Sequence, residues 1–122
     1  MTSASISPSE ATVSAVICAY TDARRELLDA SVEAVLDQLR PGDQLVVVID
    51  HNDELFSRIS ATYGTRATVV PNTNDRGLSG ARNSGIAASV GGVVAFIDDD
   101  ARVDPGWLEQ LRGDYRNPTV TG

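Results

Sequence analysis

Four short apolar runs alternate with four helical stripes along this chain, and that alternation limits the fold more than any other feature. The first run, VSAVICA from Val13 to Ala19, reads as a buried strand. Leu28, Val32, Val35, Leu36 and Leu39 then recur on one face of a helix that Thr21 and Asp22 can cap and Arg40-Pro41-Gly42 can stop. The second run, LVVVI from Leu45 to Ile49, is apolar on both alternating faces, as in parallel strands covered on both sides. Leu55, Phe56, Ile59 and Tyr63 give a second stripe, ended by Gly64. Ala67 to Val70 reads as a third strand, and Ser79 to Ser89 as a helix rich in small residues. Val93 to Ile97 is the fourth run. Asp104 then predicts a helix cap with Pro105 at the first position and Trp107, Leu108, Leu111 and Tyr115 facing inward. Strand and helix in strict alternation predict an α/β fold: an open, mostly parallel sheet with helices on both faces.

Such a sheet binds ligands outside the carboxyl ends of its strands. The loops to inspect are therefore those after each run, and the end of the fourth is the most unusual. There Phe96-Ile97 leads into Asp98-Asp99-Asp100. Adjacent carboxylates repel, and a hard cation such as Mg2+ or Mn2+ relieves the repulsion while bridging to a phosphate. A solvated acidic loop is the plainer reading. The position at the ligand-binding edge favours the metal.

A second cluster runs from Asn74 to Gly85 (NDRGLSGARNSG). Its small residues allow close approach, and Arg76 and Arg82 offer forked donors to an anionic ligand. Alternatively both arginines pair with the aspartates. Asp50, at the tip of the second run, can accept from a base N–H or a ribose hydroxyl, or can cap the next helix. Tyr20 can stack on a base or simply sit at the rim. Cys18 reads as a small packed hydrophobe, Trp107 as core and His51 as exposed.

Composition excludes several classes. The net charge of −7 argues against nucleic acid or an anionic membrane as partner. All ten basic residues are Arg. Without Lys, these residues hold no P-loop, no Schiff-base aldolase and no pyridoxal-phosphate enzyme. Single Cys and His residues exclude zinc-ribbon sites. One Cys forms no intrachain disulfide and suits a reducing, cytoplasmic compartment. The Ser/Thr-rich stretch from Met1 to Thr12 reads as a flexible tail without the features of a signal peptide. Gly85 to Ile97 is too short and too broken by glycine to span a bilayer.

Taken together, the motifs resemble the family 2 glycosyltransferases of the Rossmann-like GT-A fold. Val13-Ser14-Ala15-Val16-Ile17-Cys18-Ala19-Tyr20 is similar to that family's opening strand, and Val47-Val48-Ile49-Asp50 to its nucleotide-binding strand. Gly80-Ala81-Arg82-Asn83-Ser84-Gly85 is similar to its Ala-Arg-Asn helix. Phe96-Ile97-Asp98-Asp99-Asp100 is similar to its D-x-D motif, with Asp104-Pro105-Gly106-Trp107-Leu108 following. His51-Asn52-Asp53 replaces the usual Asp-Gly-Ser, and Ala101 a further Asp. The resemblance covers about residues 13 to 112 and makes 13–122 a partial nucleotide-sugar-binding domain, ending after the fourth strand–helix unit. It implies inverting transfer of a hexosyl-type sugar from a nucleoside diphosphate sugar to an acceptor hydroxyl, with Mg2+ or Mn2+ as cofactor. Tyr20, Asp50, Arg76, Arg82, Asp98 and Asp99 would bind the donor, and Asp100 with Asp98 the metal. The family's general base lies beyond the D-x-D helix, so no catalytic base is assigned. A saccharide and a lipid-linked carrier both remain open as acceptor, the latter placing the chain at the inner membrane face.

Two competing expectations stand beside this one. A phosphohydrolase would use Asp98 and Asp100 as nucleophile and acid, but would need its motif on the first strand, Thr or Val in place of Arg102, and a Lys. The other is a donor-binding module with no activity alone, whose open sheet edge favours self-association.

Overall fold

The computed structural model describes residues 12–114. The expected tail up to residue 11 and Tyr115 lie outside the described residues. Four strands, β1 (Val13–Ala19), β2 (Gln44–Ile49), β3 (Thr68–Pro71) and β4 (Val93–Ile97), alternate with α1 (Arg25–Leu36), α2 (Asp53–Tyr63), α3 (Leu78–Ala88) and α4 (Trp107–Asp114). All strand pairs are parallel, in the order β3-β2-β1-β4. β1 is central, with Ile17 beside Val47 on one side and Ile97 on the other. The expected doubly covered α/β sheet is what forms.

The period-2 pattern divides the strands between two cores. Ala15, Ile17, Ala19, Val47 and Ile49 pack against Leu28, Val32 and Val35 of α1 and Leu55, Ile59 and Tyr63 of α2. Leu108 of α4 joins Val13 and Val93 on that same side. Val16, Val46 and Val48 face the other way, onto Ala81 of α3. The small residues of α3 make this second packing possible. A Cβ on Gly85 would stand 2.5 Å from Val16 Cγ1, so the helix reaches this close to the sheet only with glycine there.

Helix ends depart from the sequence expectations in three places. Thr21 does cap: its hydroxyl accepts from Ala23 N at 3.1 Å, but over a short 3-10 turn, Asp22–Arg24, that precedes α1. The cap of α2 is Asn52, whose side chain accepts from Leu55 N at 3.0 Å, so Asp50 does not cap it. The last helix starts at Trp107, because Gly106 sits at φ 88°, outside helical space, and confines Asp104-Pro105-Gly106 to a turn. Gln38 closes that start by accepting from Leu108 N at 2.9 Å and donating to the Asp104 carbonyl at 2.8 Å.

One charged cluster locks α4 to the sheet. The Asp43 carboxylate accepts two bonds from Arg112, at 2.6 and 2.9 Å. It also accepts from the backbone N–H of Val13 and of Arg40, each at 2.9 Å. The two side chains are 1% and 4% exposed.

Candidate donor site

The strand order puts the switch point between β1 and β4: the chain steps outward through β2 and β3, then returns to the far side of β1. Crossovers to either side leave a crevice at that point, beyond the strand ends. A cavity of about 550 Å3 lies there. Cys18, Phe96 and Ile97 contribute its floor, the start of α3 from Gly77 to Arg82 one wall, and Arg24 with Asp98–Asp100 the other.

Most of the predicted residues come together in it. Tyr20, Asp50, Arg82, Asp98, Asp99 and Asp100 all line this cavity. Arg76 does not: it is exposed on the 72–77 loop and outside the lining. Tyr20 is 59% exposed, leaving a ring face open at the rim. The Arg82 guanidinium lies 5.2 Å from the centroid of the Phe96 ring, which holds it over β4. Cys18 packs beside Val16 and Val48, and burial, the largest influence, pushes its thiol up to about 11. It is thus a packed neutral thiol at the cavity floor.

Asp50 anchors the wall of the cavity that the 72–77 loop and the start of α3 form. Its Oδ1 accepts from Asn72 Nδ2 at 2.9 Å and faces His51 Nδ1 at 2.7 Å. An ionised carboxylate only accepts, so Nδ1 carries the imidazole proton. Its Oδ2 accepts from Gly77 N at 2.9 Å. Burial acts to raise the Asp50 carboxyl, but the bonds from Asn72, His51 and Gly77 together hold it below the ordinary carboxylate range. His51 reaches it from a left-handed backbone, φ 53°. Asn72, 5% exposed, extends the network by accepting from Ser84 Oγ on α3 at 2.8 Å and donating to the Asp75 carbonyl at 2.9 Å. One carboxylate thereby fixes the 72–77 loop and the α3 entry that form a cavity wall.

The acidic turn is fixed from α1. Buried Ser31 donates to the Ala101 carbonyl at 2.6 Å, with the Asp99 carbonyl 3.3 Å away, and Ala101 N donates to the Asp98 carbonyl at 3.0 Å. Asp98 and Asp100 stay exposed while Asp99 is buried. The cation paired with them is neither of the arginines considered from sequence. Among the described residues neither Arg76 nor Arg82 forms an ion pair with the triplet; Arg24 Nη1 lies 3.3 Å from Asp99 Oδ1 and 3.6 Å from Asp100 Oδ2. Arg24, Ser31, Asn72 and Ser84 were not visible as site residues in the sequence. Only Arg24 left a signal, a positive charge at a helix start, where the macrodipole disfavours it.

The chain as a whole matches known proteins in sequence and fold. The family model described as glycosyl transferase family 2 covers residues 14–121. The chain belongs to glycosyl transferase family 2. It is 42% identical over 107 residues to the glucosyl-dolichyl phosphate glucuronosyltransferase of Haloferax volcanii, which covers 86% of this chain. The family 2 chain spans 34% of that relative's length. A second relative, the pre-mycofactocin glycosyltransferase of Mycobacterium tuberculosis, is 42% identical over 52 residues, 43% of this chain and 11% of its own. Solved structures share the fold. Residues 1–349 of S. aureus TarS match with a TM-score of 0.70 at 20% identity, over 84% of this chain and 32% of that one. The mannosyltransferase PcManGT of Pyrobaculum calidifontis, solved with GDP-Man and Mn2+, matches with a TM-score of 0.65 at 23% identity, over 88% and 32%. Among the described residues of the family 2 chain, no helix is long and apolar enough to cross a membrane.

Proposed function

We propose that this chain binds a nucleoside diphosphate sugar in the crevice between β1 and β4, as the donor-binding part of an inverting, metal-dependent glycosyltransferase. One observation carries the reading. Asp50, Arg82 and the 98–100 triplet, far apart in sequence, line a single cavity at the switch point of the sheet. Asp50 Oδ2 accepts one bond within the protein, so a lone pair remains for a base N–H or a ribose hydroxyl. The open face of Tyr20 gives the base a stacking surface. Arg82, held over Phe96, directs a forked donor at the diphosphate. Asp98 and Asp99 face the ribose, and Asp100 with Asp98 holds the cation.

The donor set suits such a cation: both assigned carboxylates are exposed at the cavity, and Asp100 already faces a cationic nitrogen, Arg24 Nη1 at 3.6 Å. Among the described residues no group of three or more His, Cys, Asp or Glu is placed to hold a metal, so diphosphate and water would complete its shell. Mg2+ and Mn2+ are commonly bound in that way. Bound there, the ion supplies Lewis-acid neutralisation of the leaving diphosphate. The acceptor oxygen bonds to the anomeric carbon as the bond to diphosphate breaks, and a general base other than the donor-binding residues takes the acceptor proton. We place this chemistry in the cytoplasm, with a saccharide or a lipid-linked carrier as acceptor.

Calorimetric titration with UDP and GDP tests the reading. Mn2+ is expected to tighten binding of one of them by about tenfold or more, a difference of about 1.4 kcal/mol or more, and Asp100→Ala to abolish that gain. Equal binding with and without Mn2+, or by Asp100→Ala and wild type, sinks it. A second reading keeps the binding and drops the turnover. It is favoured by the site itself, in which every assigned residue faces the donor and none an acceptor. Release of nucleoside diphosphate from a sugar nucleotide in a single-turnover assay would exclude it.

A further inference from the structure

Arg24 has no role in the donor reading, yet it makes the closest cationic contacts of the acidic triplet. It stands in the 3-10 turn between β1 and α1, with its side chain 45% exposed. Its Nη1 donates to Asp99 Oδ1 at 3.3 Å and lies 3.6 Å from Asp100 Oδ2. The Asp99 side chain is 11% exposed and that of Asp100 48%, so one guanidinium ties an inner carboxylate to an outer one. Ser31 holds the backbone of the same turn to α1, so the three carboxylates cannot separate by a shift of the turn itself.

We propose that Arg24 is the resident counter-ion of the triplet, holding Asp99 and Asp100 in place before a divalent cation arrives and then yielding Asp100 to it. The proposal rests on the metal reading of the donor site. Its physical content is a competition. A fixed positive charge beside Asp100 opposes an incoming cation, so the metal binds weakly alone. A diphosphate brings negative charge that offsets both, which couples metal to nucleotide. Without Arg24, the metal would bind earlier and with less regard for the nucleotide.

The test is Mn2+ binding to the 122-residue chain without nucleotide, followed by loss of the free-ion signal in electron paramagnetic resonance. Arg24→Gln is expected to bind Mn2+ about five- to tenfold more tightly than wild type. Arg24→Lys, which keeps the charge, should stay near wild type. Structural damage weakens metal binding, so a gain is not produced by misfolding. If Arg24→Gln melts at a lower temperature than wild type, millimolar Mn2+ should restore it by relieving the same repulsion. Unchanged or weaker Mn2+ binding by a folded Arg24→Gln, or a melting loss that Mn2+ leaves in place, overturns the proposal. If neither wild type nor Arg24→Gln takes up Mn2+, alone or with nucleotide, the metal reading itself falls, and this proposal with it.

Discussion

Asp43→Ala is expected to lower the unfolding free energy by about 3–5 kcal/mol in urea titrations, a large share of a small domain's stability. The size follows from what the carboxylate joins. It accepts from Arg112 twice, from Val13 N at the start of β1, and from Arg40 N after α1. Its removal frees two backbone donors and leaves a guanidinium only 4% exposed facing its remaining neighbours, Glu109 among them. Breaking one side of a buried pair costs more than the pair itself contributes, because desolvation of the other side is no longer offset. A loss under about 1 kcal/mol would show that the apolar contacts of Leu108 and Trp107 and the Gln38 bonds hold α4 without this cluster.

The same group sets an acid limit. Burial acts to raise the Asp43 carboxyl, but the bonds from Arg112, Arg40 N and Val13 N hold it below the ordinary range, and Asp50 is also lowered. A carboxyl lowered by folding contributes stability above its unfolded value, about 3.9, and loses it as pH falls through the folded value. Wild type is therefore expected to lose stability below about pH 4, with a shallower acid slope in Asp43→Asn.

Asp50→Asn is expected to weaken nucleoside diphosphate binding by about tenfold or more and to cost about 1–3 kcal/mol of stability. The substitution conserves shape and changes one oxygen into a donor. Asn72 and His51 donate at one position and Gly77 N at the other. Whichever way the amide turns, an NH2 group meets a donor. The 72–77 loop and the entry of α3 then lose their anchor, and the cavity loses a wall. Calorimetry and chemical denaturation read the two effects. Wild-type affinity in Asp50→Asn would show that the base side of the site lies elsewhere.

The fold was legible because its signals are local. Val13–Ala19 and Leu45–Ile49 carry their burial in their own composition, and the small residues of α3 announce a close approach that Gly85 makes against Val16. That the acidic triplet and Asp50 meet at one edge of the sheet was legible because each directly follows a parallel strand. What the sequence did not show depends on contacts between distant segments. Arg24 reaches Asp99 across 75 positions, a pairing set by β1 and β4 lying side by side, so that the turn after one strand meets the turn after the other. Asn72 and Ser84 look like ordinary loop and helix residues until Asp50 joins them. Arg76 shares the 74–85 cluster with Arg82, yet the turn before α3 sends the two to different places. The start of α4 was misplaced because the helix signal of Pro105 yields to the positive φ of Gly106.

The central claim, a nucleoside diphosphate site at the β1/β4 switch point, is tested most directly by amide NMR of the isotope-labelled chain titrated with nucleoside diphosphate and diamagnetic Mg2+. The account predicts saturable shifts confined to residues 18–24, 50–51, 77–82 and 96–101, with the Gly77 amide, bound to Asp50, among the largest. Absence of saturable shifts, or shifts centred on the exposed surface of α2, would contradict it.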